Sequence, residues 1–186
     1  KYLFVKQKNW LNNIFMKTKL FIFLTMVLAR NAAAQENTKS ERQMLLEKRI
    51  PAWVKPVIER AGINESYYIS DTINPFYLEA DFNGDRVEDI ALRIVNKTDG
   101  KNGILIVHGQ TNVHFILGAG KDFGMGDDMS WVKIWYVHRE KSIKSFTNEK
   151  QEMALKYPAI RIVKTESISA YFYWTGKKYK TYNQLY

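Results

Sequence analysis

Apolar and polar side chains alternate along much of the chain after residue 66. Such a period of two predicts β-strands, because successive side chains of a strand point to opposite faces of a sheet. The intervals between the alternating segments are rich in Gly, Asn and Asp, which favour tight turns. The pattern predicts about eight strands, among them residues 67–70, 76–80, 90–95, 104–108, 113–117, 131–138 and 159–164, and a final hairpin at residues 168–182.

The segment before the first strand has a helical pattern. Ser40 and Gln43 have the spacing of a capping box, in which each side chain bonds to a backbone N–H at the start of a helix. Pro51 and Pro56 interrupt the helix that would follow, since proline lacks the N–H that an inner turn requires. We therefore expect two short helical pieces that end at Gly62.

Together these elements predict a mainly β (α+β) fold. Short connections favour antiparallel pairing in a sandwich- or barrel-like sheet, which follows the short N-terminal helical segment. A further surface helix is predicted at residues 149–155. No internal repeat is visible, which argues against a solenoid or a complete propeller.

The N-terminal 34 residues indicate export. A basic stretch from Met16 to Lys19 precedes ten mostly apolar residues, 20–29, and the small residues Ala32, Ala33 and Ala34. Ten helical residues rise only about 15 Å, half of the roughly 30 Å hydrocarbon core of a bilayer, so the segment suits targeting better than spanning. A buried core helix is the alternative. We expect residues 1–15 to be an upstream leader that is not part of the protein, 16–34 a signal peptide cleaved after Ala34, and 35–186 one periplasmic or secreted domain without a transmembrane segment.

Removal of a signal peptide would change the net charge of the protein. The whole chain has a net charge of +9, which would suit a nucleic-acid partner. Residues 1–34, however, contain six of the 28 basic residues and none of the 19 acidic ones, which leaves 22 basic and 19 acidic residues after them. We therefore expect no nucleic-acid partner. The chain has no cysteine, which excludes disulfides and thiolate metal sites.

The segment from residue 81 to residue 89 has the side chains of a metal-binding loop. Between Asp81 and Asp89, oxygen-bearing side chains occupy positions 1, 3, 5 and 9. Ca²⁺ prefers six to eight oxygen ligands, and alternate acidic side chains in a tight loop can point them inward. Asp81, Asn83, Asp85 and Asp89 are the candidate side-chain ligands, and Val87 offers its carbonyl. The alternative is a solvated Asx-rich turn that joins two strands without an ion.

The sequence DFNGDRVEDIAL at residues 81–92 resembles the calcium loop of FG-GAP and VCBS-type repeats, in which D-x-[DN]-G-D-G-x-x-D precedes a hydrophobic strand. The resemblance implies a structural calcium ion bound by the acidic positions. The resemblance covers about a dozen residues and occurs once, so it implies one local calcium loop and does not define the fold. Arg86 departs from the family pattern, because glycine usually stands there and a side chain at positive φ costs on the order of 1 kcal/mol.

A glycine-rich loop at residues 118–130 is the second candidate site. Its acids, Asp122, Asp127 and Asp128, together with Trp131, form a candidate binding loop, since long loops of this kind often carry function. A surface crossing without function is the alternative. Aromatic residues in the later strands could form part of the core or bind a sugar or peptide.

Two functions of different classes agree with these observations. The first is an exported, calcium-stabilised, non-catalytic binding domain whose ligand is a protein, peptide or glycan. It is favoured because the sequence contains no nucleophile elbow and no zinc-binding histidine spacing. The alternative is a small exported hydrolase in which Asp127 or Asp128 acts beside the calcium loop.

Overall fold

The computed structural model describes residues 16–19, 21–28, 30, 41–145, 151–165 and 168–185. The chain divides into two compact units, residues 1–44 and 45–186. In the first unit the described residues are helical, and the side chains of residues 21–28 are exposed. Among the described residues, no helix has both the length and the apolar character that crossing a membrane requires. Residues 1–15, Ala32 to Ala34 and Ser40, on which several N-terminal predictions depend, lie outside the described residues.

The second unit is mainly β, as the alternation predicts. Helical residues 45–47, which continue a helix from residue 41, precede the short helices Lys55–Arg60 and Ile63–Ser66. The described part of the chain then forms eleven strands rather than about eight. They are β1 Tyr67–Ile69, β2 Tyr77–Ala80, β3 Asp89–Asn96, β4 Asn102–Val107, β5 His114–Gly118, β6 Ile134–His138, β7 Ser142–Lys144, β8 Glu152–Ala154, β9 Ala159–Thr165, β10 Ile168–Trp174 and β11 Tyr179–Leu185.

Two antiparallel sheets form a sandwich, and no closed barrel exists within the described residues. In the first sheet, β3 pairs with β4 on one side and with both β1 and β2 on the other, while β5 forms the opposite edge. The second sheet has the order β11–β10–β9–β6. The strands β7 and β8 form a separate small hairpin.

β3 is the central strand of the first sheet, and its two faces enter two different cores. Ile90, Leu92 and Ile94 pack against the N-terminal helices, whose buried residues include Val57 and Ile58. Ala91 lies on the opposite face, in the core between the sheets. Burial on both faces agrees with the apolar residues 90–92 and 94–95 of β3, as in other strands that are covered on both sides, and Arg93 interrupts this run.

The core between the sheets is filled by large apolar side chains from both sheets. Trp135 on β6 is 1% exposed, whereas its neighbours Ile134 and Tyr136 on the other face are 55% and 37% exposed. Phe172 and Tyr179 contribute from β10 and β11. The predicted alternation along residues 131–138 is therefore confirmed over the strand itself, which begins at Ile134 and not at residue 131.

The helix predicted at residues 149–155 is wrong where the structure describes it. Residues 152–154 form β8, which pairs with β7. Met153 packs into a small core with Ile143 and Leu155, while Glu152 and Ala154 on the other face are exposed. A tertiary contact that buries alternate residues overrides a weak local helical preference. The N-terminal helices also differ, because a further turn, Ile63–Ser66, follows the left-handed Gly62.

A buried arginine lies between the first sheet and the loop at residues 118–130. Arg93 on β3 is 1% exposed, and its Nη2 donates to the carbonyl of Met129 at 3.1 Å. Its Nε has no hydrogen-bond partner among the described residues. Burial lowers the pKa of Arg93 to about 10, and the Asp128 carboxylate offsets only part of that shift.

We expect Arg93→Met to be as stable as the parent or more stable. Replacing a buried charge by an apolar side chain of similar size is often neutral or stabilising by about 1–4 kcal/mol. The Met129 carbonyl would keep its second donor, the N–H of Val132 at 3.1 Å. Arg93→Ala is the matched control and should lose about 2–5 kcal/mol, because it leaves a cavity. Urea unfolding measures both, and a clear loss in Arg93→Met would show that the guanidinium's contacts outweigh its desolvation.

Candidate functional site

The loop from residue 81 to residue 89 is organised around the Asp81 carboxylate. Its Oδ1 accepts the backbone N–H groups of Gly84 at 2.5 Å and Asp85 at 3.1 Å, and its Oδ2 accepts that of Arg86 at 2.9 Å. Backbone donors converge in this way only if the chain turns sharply. Gly84 has φ 82° and Arg86 has φ 71°. The position at which the FG-GAP pattern has glycine thus adopts the left-handed conformation, here with an arginine.

Asn83 and Asp85 form the outer part of this loop. The Asn83 Oδ1 accepts the N–H of Asp85 at 2.8 Å, and the Asp85 Oδ1 accepts the N–H of Val87 at 2.8 Å. The Asn83 Nδ2 also donates to Asp85 Oδ2 at 3.0 Å. These are successive Asx turns, which hold the side chains of both residues in fixed positions.

Asp89 ends the loop and is fully buried. Its Oδ2 accepts the N–H groups of Phe82 at 2.9 Å and Asn83 at 3.1 Å, and its Oδ1 accepts that of Gly109 at 2.9 Å. Burial raises the pKa of Asp89 to about 6, although the three N–H donors act in the opposite direction. The carboxylate therefore ties the loop to the turn that follows β4.

Some, but not all, of the oxygen atoms in this loop are suited to bind a hard cation. Asp81, Asn83 and Asp85 offer carboxylate and amide oxygens within five residues, and an oxygen that accepts a single N–H retains a second lone pair. Asp89 has its oxygens directed at backbone N–H groups on the inner side. Among the described residues, no three or more acidic or histidine side chains are grouped closely enough to hold a metal. Of the predicted ligands, Asp81, Asn83 and Asp85 each have an oxygen that accepts one N–H, while Asp89 anchors the loop.

An open cleft of about 430 Å³ lies directly beside this loop. The loop forms one wall, the turn between β4 and β5 forms another, and residues from β5, β10 and the β10–β11 turn complete it. It is lined by Asn83, Gly84, Asp85, His108, Gln110, Thr111, Val113, Phe115, Trp174 and Lys177.

The floor of the cleft belongs to a cluster of aromatic rings that joins the two sheets. The His108 ring lies edge-on to Trp174, with centroids 4.9 Å apart, and 5.1 Å from Phe115. Its Nε2 forms a hydrogen bond with the hydroxyl of Tyr179 at 2.9 Å. Burial lowers the pKa of His108 despite the nearby Asp85 and Asp81, and burial raises the pKa of Tyr179. Both directions favour the uncharged forms.

The acids of the loop at residues 118–130 are placed elsewhere. Asp127 forms an ion pair with Lys101 at 2.5 Å, and Asp122 accepts the N–H of Gly124 at 2.9 Å. Asp128 accepts the N–H of Asn102 at 2.8 Å and both donors of Ser130. Burial raises the pKa of Asp128, but these hydrogen bonds outweigh it and the net shift is downward.

Trp131 is half-buried against the core between the sheets. Neither Trp131 nor the three acids of residues 118–130 line the cleft beside residues 83–85. The two predicted site regions are therefore not brought together there.

The cleft contains residues that the sequence did not identify as a site, namely His108, Phe115, Trp174 and Lys177. They come from both sheets and are up to 69 positions apart, so no local spacing connects them. The one available signal is the pair of predicted strands at residues 104–108 and 113–117, since a tight turn between them would place His108 opposite Val113. The N–H of His108 indeed donates to the carbonyl of Val113 at 2.9 Å.

Comparisons with models of known protein families, with curated proteins and with solved structures find no match for this chain. The relation of residues 81–92 to the FG-GAP and VCBS loops stays a resemblance.

Gly84 offers a test of the loop geometry. A Cβ at this position would overlap the ring of Tyr157, and the residue also has φ 82°. We expect Gly84→Ala to lower stability by more than the roughly 1 kcal/mol of a positive-φ alanine, because the ring must also move. Gly126→Ala is the matched control, with φ 94° and no atom within 4 Å of the added Cβ.

Urea unfolding of the two glycine variants measures the difference. Adding Tyr157→Ala to Gly84→Ala should recover the steric part of the loss but not the backbone part, which a double-mutant cycle separates. Equal losses in Gly84→Ala and Gly126→Ala would contradict the packing of Tyr157 on the loop.

Proposed function

We propose that this chain is an exported, non-catalytic binding domain that is stabilised by calcium at residues 81–89 and binds its ligand in the adjacent cleft. The single observation that carries the proposal is the position of the loop. The residues that resemble a calcium loop, Asn83, Gly84 and Asp85, are also a wall of the cleft of about 430 Å³. An ion that fixed this loop would also fix the binding surface.

The electrostatics of the loop support a cation. Asp81, Asp85 and Asp89 are three carboxylates within nine residues, and Asp89 already has a raised pKa because it is buried. A divalent cation would offset their mutual repulsion and the charge of the Asp81 and Asp85 oxygens. Sites of the extracellular type have dissociation constants of about 10⁻⁴ to 10⁻³ M, which suits an exported protein.

The lining of the cleft supports binding over catalysis. Its titratable imidazole, His108, is buried, has a lowered pKa and directs Nε2 at the Tyr179 hydroxyl. The remaining lining offers aromatic surface and hydrogen-bonding groups, which are the usual means of recognition in a small-molecule site. Export is supported by the basic-then-apolar order of residues 16–29, of which 16–19 and 21–28 are helical.

Calcium should raise the melting temperature of the purified protein by a few degrees relative to the same protein in EDTA. A ligand at ten times its dissociation constant stabilises the folded state by about 1.4 kcal/mol, and a domain of this size shifts by roughly 2–4 °C per kcal/mol. Asp85→Ala should abolish the difference, because Asp85 is a proposed ligand whose side chain accepts one backbone N–H, that of Val87.

Asp122→Ala is the matched control for Asp85→Ala. It removes an exposed carboxylate that accepts one backbone N–H in another loop, and it should keep the full calcium response. Melting curves that coincide with and without calcium in the parent protein would refute the ion. Magnesium serves as the second control, because it demands near-ideal octahedral geometry and loses its water reluctantly, so an oxygen loop that suits Ca²⁺ binds it poorly.

A further inference from the structure

We propose that the cleft between residues 83–85, the β4–β5 turn and Trp174 binds an uncharged saccharide. The inference rests on the proposed function, since it assigns a chemical class of ligand to the same cleft. Three properties of the lining carry it: a fixed aromatic surface, hydrogen-bonding groups that suit hydroxyls, and balanced charge.

The aromatic surface is rigid. Trp174 is half-buried, and its ring contacts His108, Phe115 at 5.1 Å and Tyr179 at 5.0 Å, all in tilted or edge-on geometry. A ring held by three neighbours loses little conformational entropy when a ligand packs on it. The C–H face of a pyranose carries partial positive charge and is therefore attracted to the negative face of an aromatic ring.

The polar part of the cleft matches the needs of hydroxyl groups, which donate and accept hydrogen bonds. Asp85 accepts, while Gln110 and Thr111 can do both. Asp85 is held by the N–H of Val87 and by Asn83, so its position is fixed before a ligand arrives. Gln110 and Thr111 are exposed at the turn between β4 and β5.

The charges of the lining balance. With the proposed Ca²⁺ in place, the ion and the carboxylates of Asp81, Asp85 and Asp89 together carry one negative charge, which Lys177 balances. Burial lowers the pKa of His108. Such a surface selects neither a phosphate-like anion nor a cationic side chain. Apart from Phe115 and Trp174, the lining residues lie in loops, so the cleft does not present the straight strand edge that an extended peptide uses.

The proposal is tested by titrating the protein with four saccharides and measuring binding by calorimetry and tryptophan fluorescence. The saccharides are cellotetraose, chitotetraose, maltotetraose and mannotetraose. We expect saturable binding of at least one of them in calcium buffer. Trp174→Ala should weaken it by at least about tenfold, and Gln110→Ala by several-fold, since one loses the aromatic surface and the other a rim contact. Tyr136→Ala is the matched control, because it removes an exposed aromatic residue of the second sheet outside the cleft.

Gln110→Ala keeps the test valid if Trp174→Ala fails to fold, since Gln110 is exposed and its replacement leaves the aromatic cluster intact. Binding that Gln110→Ala and Trp174→Ala both leave unchanged would overturn the proposal. A casein hydrolysate is titrated in parallel. Peptide binding that depends on Trp174, without saccharide binding, would overturn the proposal of a saccharide ligand. It would agree with the proposal that the cleft belongs to a binding domain. If neither the saccharides nor the peptides bind, both the saccharide ligand and the binding function of the cleft are overturned. The calcium ion is tested separately by the melting temperatures in calcium and in EDTA.

Discussion

A carboxylate that is removed from water must find its hydrogen bonds within the chain. Asp89 is such a buried carboxylate, and its hydrogen bonds hold together the segments that form the candidate site. It takes three backbone N–H donors, two from the loop before β3 and one from Gly109 after β4. Chain segments that are 20 positions apart are thereby held at fixed distance. Burial raises its pKa to about 6, although these three bonds act in the opposite direction. The local arrangement is therefore constrained, because any movement of either segment would leave a buried charge without its donors.

The cleft follows from that constraint. With the loop and the β4–β5 turn fixed to each other, their outer residues form two walls with a gap between them, and the second sheet supplies the rest through Trp174. The hydrogen bond between His108 and Tyr179 and the ring contacts around it connect the sheets at this point. Sheet packing, hydrogen bonding and the candidate binding surface thus depend on the same few residues.

The sequence predicted the sheet well and the cleft poorly, for one physical reason. Alternation is a local property, so Trp135 and Tyr136 are assigned to opposite faces from spacing alone. Whether a strand turns one face to helices and the other to a second sheet, as β3 does, shows only as a scarcity of polar residues, and in β3 Arg93 interrupts even that signal. Contacts such as His108 to Trp174 form between sheets, and no periodicity records which side chains will meet there. The helix predicted at residues 149–155 is wrong at 152–154 for the same reason, because the pairing with β7 and the burial of Met153 are both tertiary contacts.

The loop at residues 81–89 shows a second limit of sequence reasoning. The spacing of acids predicts oxygens that face a calcium ion, but a backbone N–H is a positive partner as well. Asp89 satisfies the pattern by facing N–H groups, whereas Asp81 and Asp85 combine N–H contacts with lone pairs that can still face an ion. Because the N–H network already shapes the loop, a weak ion would add about 1–2 kcal/mol and not the whole fold. The chain would then use calcium to hold one wall of the cleft in place, and the sheets would stand without it.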